Sequence, residues 1–462
     1  MDKSVITRAV TVAAGPFAPG HLGELTQQVP FEMVDEALEE TCRTERRTRD
    51  VPARVAVYLL LAGCLFAELG YPQVWGKLTA GLEGLTVAAP AASALTQARL
   101  RLGPGPLRAL FFLLRGPSPA DVRWRGLLVC AIDGTTVTVP DSAANLARFT
   151  KGGGNHGGAG YPQARLLALV ACGTRTIIDA VFGPTASGET TYAPGLLRSL
   201  RAGMIVLLDR NFAAAKLVTA IARTEADVLV RVKNGRKLPA LRRYRDGSYL
   251  SRLGTTQVRV IEAQITIVTT AGRRTQIYRL ATTLLDHRAY PAASLIRLYH
   301  ERWEIETAYL ELKSTILGGR VLRARTPAGI DQEIYALLVT YQILRTAMTD
   351  ATTCVPGTDP DRASFTIALN AARDQLIQAA GVIAGTIINL AGTIGQHVLA
   401  GLLPARRLRV SPRIVKRAIS KYQARGPSID RTSYKATLSI DILAPTTSLD
   451  SQHQPLTTRP WG

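Results

Sequence analysis

The stretch LLVCAIDGTTVTV, residues 127–139, is an apolar, β-branched run interrupted by an acid and a glycine. Such a run reads as a buried strand. Downstream, ARLLALVACGTRTIIDAVFG (164–183) reads as two more strands joined at Gly173, and a helix is expected from about Tyr192 to Leu200. MIVLLDRNF (204–212) is a further buried strand finishing in an acid, and AAAKLVTAIARTEA (213–226) a further helix. Strands followed by helices predict a mixed α/β sheet. Asp133 and Asp209 then stand at or near the C-terminal ends of buried strands, where open α/β sheets gather their ligands.

A third acid lies in YHERWEIETAYLELK, residues 299–313. At about 100° per residue, Tyr299, Arg302, Glu306 and Lys313 fall within an arc of roughly 60° on one helix. Glu301, Glu304 and Glu311 point elsewhere, and Trp303 is expected to pack the helix onto the sheet. Alone, the stripe would be a solvated face with i, i+4 ion pairs. Beside Asp133 and Asp209 it gains a second meaning, since three acids from three elements can hold two Mg²⁺ ions, or Mn²⁺ in their place. Two such ions roughly 3.5–4 Å apart serve in-line displacement at phosphorus. Arg302 and Lys313 would neutralise phosphates beside the scissile bond, and the Tyr299 hydroxyl would donate to one. The plainer alternatives are that Asp133 caps the turn before Gly134 and that Asp209 pairs with Arg210.

The flanks differ in character. Residues from about 21 to 115 read as helices, with a basic patch at Arg43, Arg46, Arg47, Arg49 and Arg54. They fit a small DNA-reading module or an ordinary helical domain with a solvated arginine face. Prolines at 90, 104, 106, 117 and 119 place a boundary near 120. From about 228 to 283 strands predominate, and between Arg231 and Arg279 twelve Lys or Arg face two acids, with Tyr244, Tyr249 and Tyr278 interleaved. Cations with aromatics suit a phosphate-tracking, base-stacking surface, and a basic solvent face is the alternative. Helices continue to about Leu403. A basic segment and a Thr- and Pro-rich end, expected to be disordered, make up 404–462. His156, in KGGGNHGGAG (151–160), fits a flexible loop better than a metal or DNA contact.

The formal net charge of +21 points to a polyanionic partner such as nucleic acid. Five widely spaced cysteines without a CxxC pair argue for a reducing cytoplasm and against a zinc site. Asp2, Lys3 and Arg8 interrupt any signal-peptide core. Residues 375–405 hold no Asp, Glu, Lys or Arg, but recurrent Gln, Asn, His and Gly favour buried helices over a membrane span.

The order IDGTTV, LLDRNF, then Y-x2-R-x3-E-x6-K resembles the DDE transposases of bacterial insertion sequences, specifically the insertion sequence 4 group. The resemblance covers roughly residues 20 to 350, including a basic N-terminal module like that group's. It implies an RNase H-like mixed-sheet catalytic core at 121–350 with an inserted β domain at about 228–283. A helical N-terminal DNA-binding domain at 1–120 would precede it and a helical C-terminal region at 351–403 would follow. It implies cut-and-paste transposition by Asp133, Asp209 and Glu306, with Tyr299, Arg302, Lys313 and Arg210 on DNA. Water frees a 3′ hydroxyl at the element's terminal inverted repeat, a hairpin forms and reopens, and the hydroxyls join target DNA within a synaptic homodimer near the nucleoid. Relatives hold a flipped base with a tryptophan in the insertion. Here Trp75, Trp124, Trp303 and Trp461 all lie outside it, leaving Tyr244, Tyr249 or Tyr278 to stack instead. A structure-specific nuclease without strand transfer, or a catalytically inactive DNA-binding descendant, are the competing readings.

Overall fold

The computed structural model describes residues 21–45, 47, 49–80, 86–118, 123–151, 160–270, 272–378, 392–404, 409–410, 432 and 434–443. The glycine-rich loop with His156, Arg46, Trp461 and most of the basic segment from 405 lie outside these residues. Five helices come first: α1 (Phe31–Glu40), α2 (Ala53–Leu65), α3 (Tyr71–Thr79), α4 (Ala92–Leu102) and α5 (Gly105–Leu114). Pro30 and Pro52 precede α1 and α2, while Pro72 and Pro106 sit in the first turns of α3 and α5, where a missing N–H costs no intrahelical bond. Every residue of α2 except Arg54 is buried, so this helix is the centre of its neighbours.

The sheet strands and the short helices between them follow: β1 (Arg123–Trp124), β2 (Leu127–Thr138), α6 (Ala143–Leu146), β3 (Gln163–Ala171), β4 (Ile177–Pro184), α7 (Glu189–Tyr192), β5 (Met204–Leu208), α8 (Ala215–Ala222) and β6 (Asp227–Arg231). β2 is central. It pairs antiparallel with β3, which pairs antiparallel with β4, and on its other side it runs parallel to β5, which is parallel to β6. This mixed, RNase H-like sheet is the one expected. The expected helix at 192–200 is not α-helical: Pro194 and Gly195 leave one turn, α7, followed by a 3₁₀ segment, Ala193–Ser199.

Four more strands, β7 (Arg242–Arg243), β8 (Tyr249–Leu253), β9 (Thr256–Thr269) and β10 (Gly272–Thr282), fill the expected β insertion. They extend the core sheet, because β10 pairs antiparallel with β6 through Leu280↔Arg231. β6, taken from sequence as the insertion's first strand, is thus a parallel core strand. Helices α9 (Ala292–Tyr299), α10 (Trp303–Leu310), α11 (Pro327–Thr353), α12 (Phe365–Gln378) and α13 (Thr393–Ala400) complete the helical part, followed by β11 (Arg409–Val410) and β12 (Tyr434–Ile442). β12 corrects the expectation of a wholly disordered end: Ile440 and Ile442 pack on the core while Lys435, Thr437, Ser439 and Asp441 face out, and the strand pairs with β9.

Strand alternation separates two apolar layers. Val129 and Ala131 of β2 face the core shared with α1–α5 and α9–α13, and Leu128, Cys130 and Ile132 face the core under α8. α11 packs on α2 and α5, so the helices at the two ends of the chain share one core. No disulfide joins any of the five cysteines, and among the described residues no helix is long and apolar enough to cross a membrane.

Candidate active site

The parallel pairing of β2 with β5 ends at Ile132↔Leu208. Asp133 and Asp209 are the next residue on each strand, so the two acids stand side by side where the strands part, β2 continuing against β3 alone. Each carboxylate is also tied locally. Asp133 Oδ1 accepts from Gly134 N at 2.8 Å, and Asp209 Oδ1 accepts from Asn211 N at 2.7 Å as the cap of a 3₁₀ turn. The turn-cap alternative for Asp133 is therefore correct in geometry and compatible with a site. No ion pair joins Asp209 to Arg210, whose residue is exposed beside it. A β-carbon at Gly134 would lie 2.4–2.7 Å from the end of the Glu189 side chain, which pairs with Arg165 at 3.1 Å, so a larger residue there would push Glu189 off that pair.

The stretch 299–316 is not one continuous α-helix. α9 ends at Tyr299, a 3₁₀ turn spans His300–Arg302, α10 runs Trp303–Leu310 and a π turn spans Glu311–Ile316. The stripe still meets the acids. Arg302 lies between two of them, with Nη1 3.1 Å from Asp133 Oδ2 and Nη2 3.0 Å from Glu306 Oε1. Lys313 Nζ donates to Thr135 Oγ1 at 3.0 Å, two residues beyond Asp133 on the same strand face. Tyr299 departs from the sequence reading. It is 7% exposed, and its hydroxyl donates to the Leu208 carbonyl at 3.1 Å, so it fixes the end of β5 and has no hydroxyl proton left for a phosphate. Trp303 departs as well: at 54% exposed it does not pack the helix onto the sheet. Tyr309, which sequence reasoning passed over, does that instead. Its hydroxyl donates to the Asp133 carbonyl at 2.6 Å and accepts from Ala168 N at 3.0 Å, inserting between β2 and β3.

Burial pushes the Asp133 carboxyl up to about 6; the Gly134 N–H and the Arg302 guanidinium oppose that shift, and Asp209 and Glu306 add to it. Asp133 thus feels the charge of both other acids. Among the described residues no three His, Cys, Asp or Glu side chains stand close enough together to hold one metal ion as they are placed. The donors nevertheless suit a hard cation, being carboxylate oxygens, and the gap between Asp133 and Glu306 is already filled by a positive charge.

The three insertion tyrosines separate. Tyr249 is 3% exposed, donates to Glu262 Oε1 at 2.8 Å and accepts from Arg279 Nη2 at 2.7 Å, which removes it from the base-stacking candidates. Tyr244 stacks on His287 at 4.6 Å between centroids. Tyr278 lies beside the Tyr299 helix: it packs edge-on against Tyr299 at 6.5 Å and carries the Arg231 guanidinium 4.0 Å above its ring. Arg231 was counted in the basic run but not singled out, since only the β6–β10 register brings it to Tyr278.

Two family models match the chain, "Insertion element 4 transposase N-terminal" over residues 19–112 and "Transposase DDE domain" over residues 124–343. Among curated proteins, the chain is 27% identical over 410 residues to "Transposase InsG for insertion sequence element IS4" of Escherichia coli (strain K12), covering 85% of this chain and 91% of that one. It is 26% identical over 219 residues to "Putative transposase InsZ" of the same organism, covering 45% of this chain and 70% of that one. A solved piggyBac transposase synaptic complex with hairpin DNA aligns with a TM-score of 0.47 and 8% identity over 83% of this chain and 85% of that one, too loose a likeness to carry an argument.

Proposed function

The chain belongs to the insertion sequence 4 family of DDE transposases, and from that premise we propose that it performs cut-and-paste transposition with Asp133, Asp209 and Glu306 as its catalytic acids. Membership makes it an enzyme of DNA that depends on a divalent metal. The observation that carries the assignment is the last β2–β5 rung, Ile132↔Leu208, which brings the two aspartates together beneath a helix whose Arg302 spans Asp133 and Glu306.

The three carboxylates would hold two Mg²⁺ ions, or Mn²⁺, which when bound supply Lewis-acid activation of the attacking oxygen and stabilisation of the leaving one. This chain's own groups do the rest. Arg302 neutralises Asp133 and Glu306 in the free protein and turns to the phosphate beside the scissile bond when DNA is bound. Lys313, bonded to Thr135 of β2, and the exposed Arg210 contact the flanking backbone. At the element end a water oxygen attacks phosphorus, the P–O3′ bond breaks, and the strand leaves with a free 3′ hydroxyl. That hydroxyl attacks a phosphorus on the opposite strand, the P–O3′ bond to the flanking DNA breaks and a hairpin caps the element; water then attacks the hairpin phosphorus and frees the element's 3′ hydroxyl, which attacks a target phosphate and displaces a target 3′ hydroxyl. Tyr278 would stack a base flipped at the hairpin, a reading supported by its contacts with Tyr299 and Arg231. Two copies pair two terminal inverted repeats during the reaction.

The test is a cleavage and joining assay on labelled element-end DNA with a supercoiled target, with and without Mg²⁺. Metal-dependent 3′ nicking, a hairpin band and joined product are expected. Glu306→Gln should keep end binding and lower nicking by roughly a hundredfold or more, because the amide keeps the shape and drops the charge. Tyr278→Ala should lose the hairpin band while keeping the first nick. Nicking of any branched DNA without joining would favour the structure-specific nuclease, and wild-type nicking by Glu306→Gln would remove that residue from the mechanism.

A further inference from the structure

The helix that presents Glu306 to the site has a second charged face turned into the protein. Two residues advance a helix by about 200°, so Glu304 lies nearly opposite Glu306. Glu304 is 0% exposed and Glu311 7%, and both meet Arg175. Arg175 Nε lies 2.5 Å from Glu304 Oε2, Nη1 3.2 Å from Glu311 Oε1 and Nη2 2.6 Å from Asp361 Oδ1. Arg345 of α11 also pairs with Glu311, with Nε 3.1 Å from Oε2, and the Tyr341 hydroxyl sits 3.1 Å from Oε2 and 3.0 Å from the Arg175 carbonyl. Five charged side chains from four segments, the β3–β4 turn, the 303–316 helix, α11 and the 3₁₀ turn Pro360–Arg362, thus close on one buried point.

Two further features mark this cluster as more than filling. Arg175 occupies the β3–β4 turn at φ +60, in the left-handed region that a non-glycine residue rarely adopts, and that conformation aims its guanidinium under the helix. Glu311 opens the π turn Glu311–Ile316, the local widening that contains Lys313. A helix held only by apolar packing can roll by a few degrees at little cost. One held through both Glu304 and Glu311 by planar, forked guanidinium groups cannot.

We infer that Arg175, supported by Arg345, is a positioning residue for the DNA reaction: by clamping Glu304 and Glu311 it fixes the rotation of the 303–316 helix, and with it the directions of Glu306 and Lys313. The inference rests on the role given to Glu306 above. Arg175 touches neither the three acids nor the surface from which DNA approaches, and acts only through the helix.

The experiment compares Arg175→Lys, Glu311→Gln and Glu306→Gln in the full chain. Four quantities are read: thermal midpoint, binding of element-end DNA without metal, Mn²⁺ binding followed by the paramagnetic resonance of free Mn²⁺, and single-turnover nicking against saturating DNA. Arg175→Lys keeps the charge but cannot make the three-way fork, and Glu311→Gln keeps the shape but loses the charge. Both are expected to bind end DNA within about twofold of wild type. Both should weaken Mn²⁺ binding severalfold and slow nicking by roughly tenfold to a hundredfold, with KM little changed. Wild-type Mn²⁺ affinity and nicking in both, with Glu306→Gln inactive, would overturn the positioning role while leaving the acid site standing. Loss of DNA binding, Mn²⁺ binding and nicking in step with the folded fraction would also overturn it, reducing the cluster to a support of the fold. Wild-type nicking by Glu306→Gln would instead overturn the site on which the inference depends.

Discussion

At the scale of single residues, Arg302 is where the charges of the site balance. Its two Nη atoms each hold one carboxylate, at 3.1 Å and 3.0 Å, and its side chain is only 14% exposed. A phosphate arriving at this guanidinium competes with Asp133 and Glu306, and the exchange is favourable only when those acids find another cation. Arg302→Ala should therefore weaken binding of end DNA and reduce the slope of log affinity against log salt by about one, read by fluorescence anisotropy across a salt series with Mg²⁺ replaced by Ca²⁺. An unchanged slope would mean that Arg302 stays on its carboxylates when DNA binds. The acids and this arginine were legible in the sequence because their spacing maps directly onto strand ends and one helix face. The hydroxyls of Tyr299 and Tyr309 were not. Which carbonyl a phenol reaches depends on where β2, β3 and β5 lie relative to the helix, and periodicity within the helix carries no such information.

At the scale of elements, one buried carboxylate ties β4, the 3₁₀ segment Ala193–Ser199 and the end of α5 together. Asp179 of β4 is 0% exposed and receives Arg198 Nε at 2.8 Å, Arg198 Nη2 at 3.0 Å and Ser199 Oγ at 2.7 Å from the 3₁₀ segment, with Arg115 beyond α5 as a further ion-pair partner. Burial pushes this carboxyl up, but the hydrogen bonds from Arg198, Arg115 and Ser199 outweigh it and hold the carboxyl below its ordinary value. A folded value below the unfolded one means that the unfolded chain takes up the proton first. The stabilisation is therefore full above the ordinary aspartate range, about 4, and is lost as pH falls through and below it. Asp179→Asn should cost about 3 kcal/mol at neutral pH, and the gap to wild type should narrow below about pH 4 in thermal melts. A gap that stays constant with pH would take the carboxylate charge out of the account. The sequence reading placed an α-helix where this 3₁₀ segment lies, since Leu196, Leu197 and Leu200 look helical in spacing. Pro194 and Gly195 weaken the α-helix, and the tighter coil presents Arg198 and Ser199 together to Asp179.

At the scale of the whole molecule, one sheet runs from β4 to β11, and the outer edge of β9 is closed by two strands distant from each other in sequence. β9 is covered along Thr256–Val260 by β8 and along Ala263–Thr269 by β12, while Leu443 N donates to the Glu262 carbonyl between them at 2.8 Å. The β8 hairpin was readable from the alternation within the insertion. β12 was not, because a Thr- and Pro-rich end looks like tail until an unfilled strand edge is there to receive it. An uncovered edge of this length would offer a row of unpaired N–H and C=O groups, with Val268 43% exposed near its tip, and such edges recruit other chains. Asp133, Asp209 and Glu306 lie on β2, just past β5 and on α10, away from this edge, so closing the edge does not involve them. A chain stopped at Thr432 should keep its far-UV circular dichroism and its binding of end DNA, yet self-associate with rising concentration in light scattering. Placing two lysines in the bared segment, at Gln264 and Val268, should restore the single species, since charge on an open strand blocks edge-to-edge pairing. A truncated chain that stays monodisperse without those lysines would show that β12 is not what keeps the β9 edge closed to other copies.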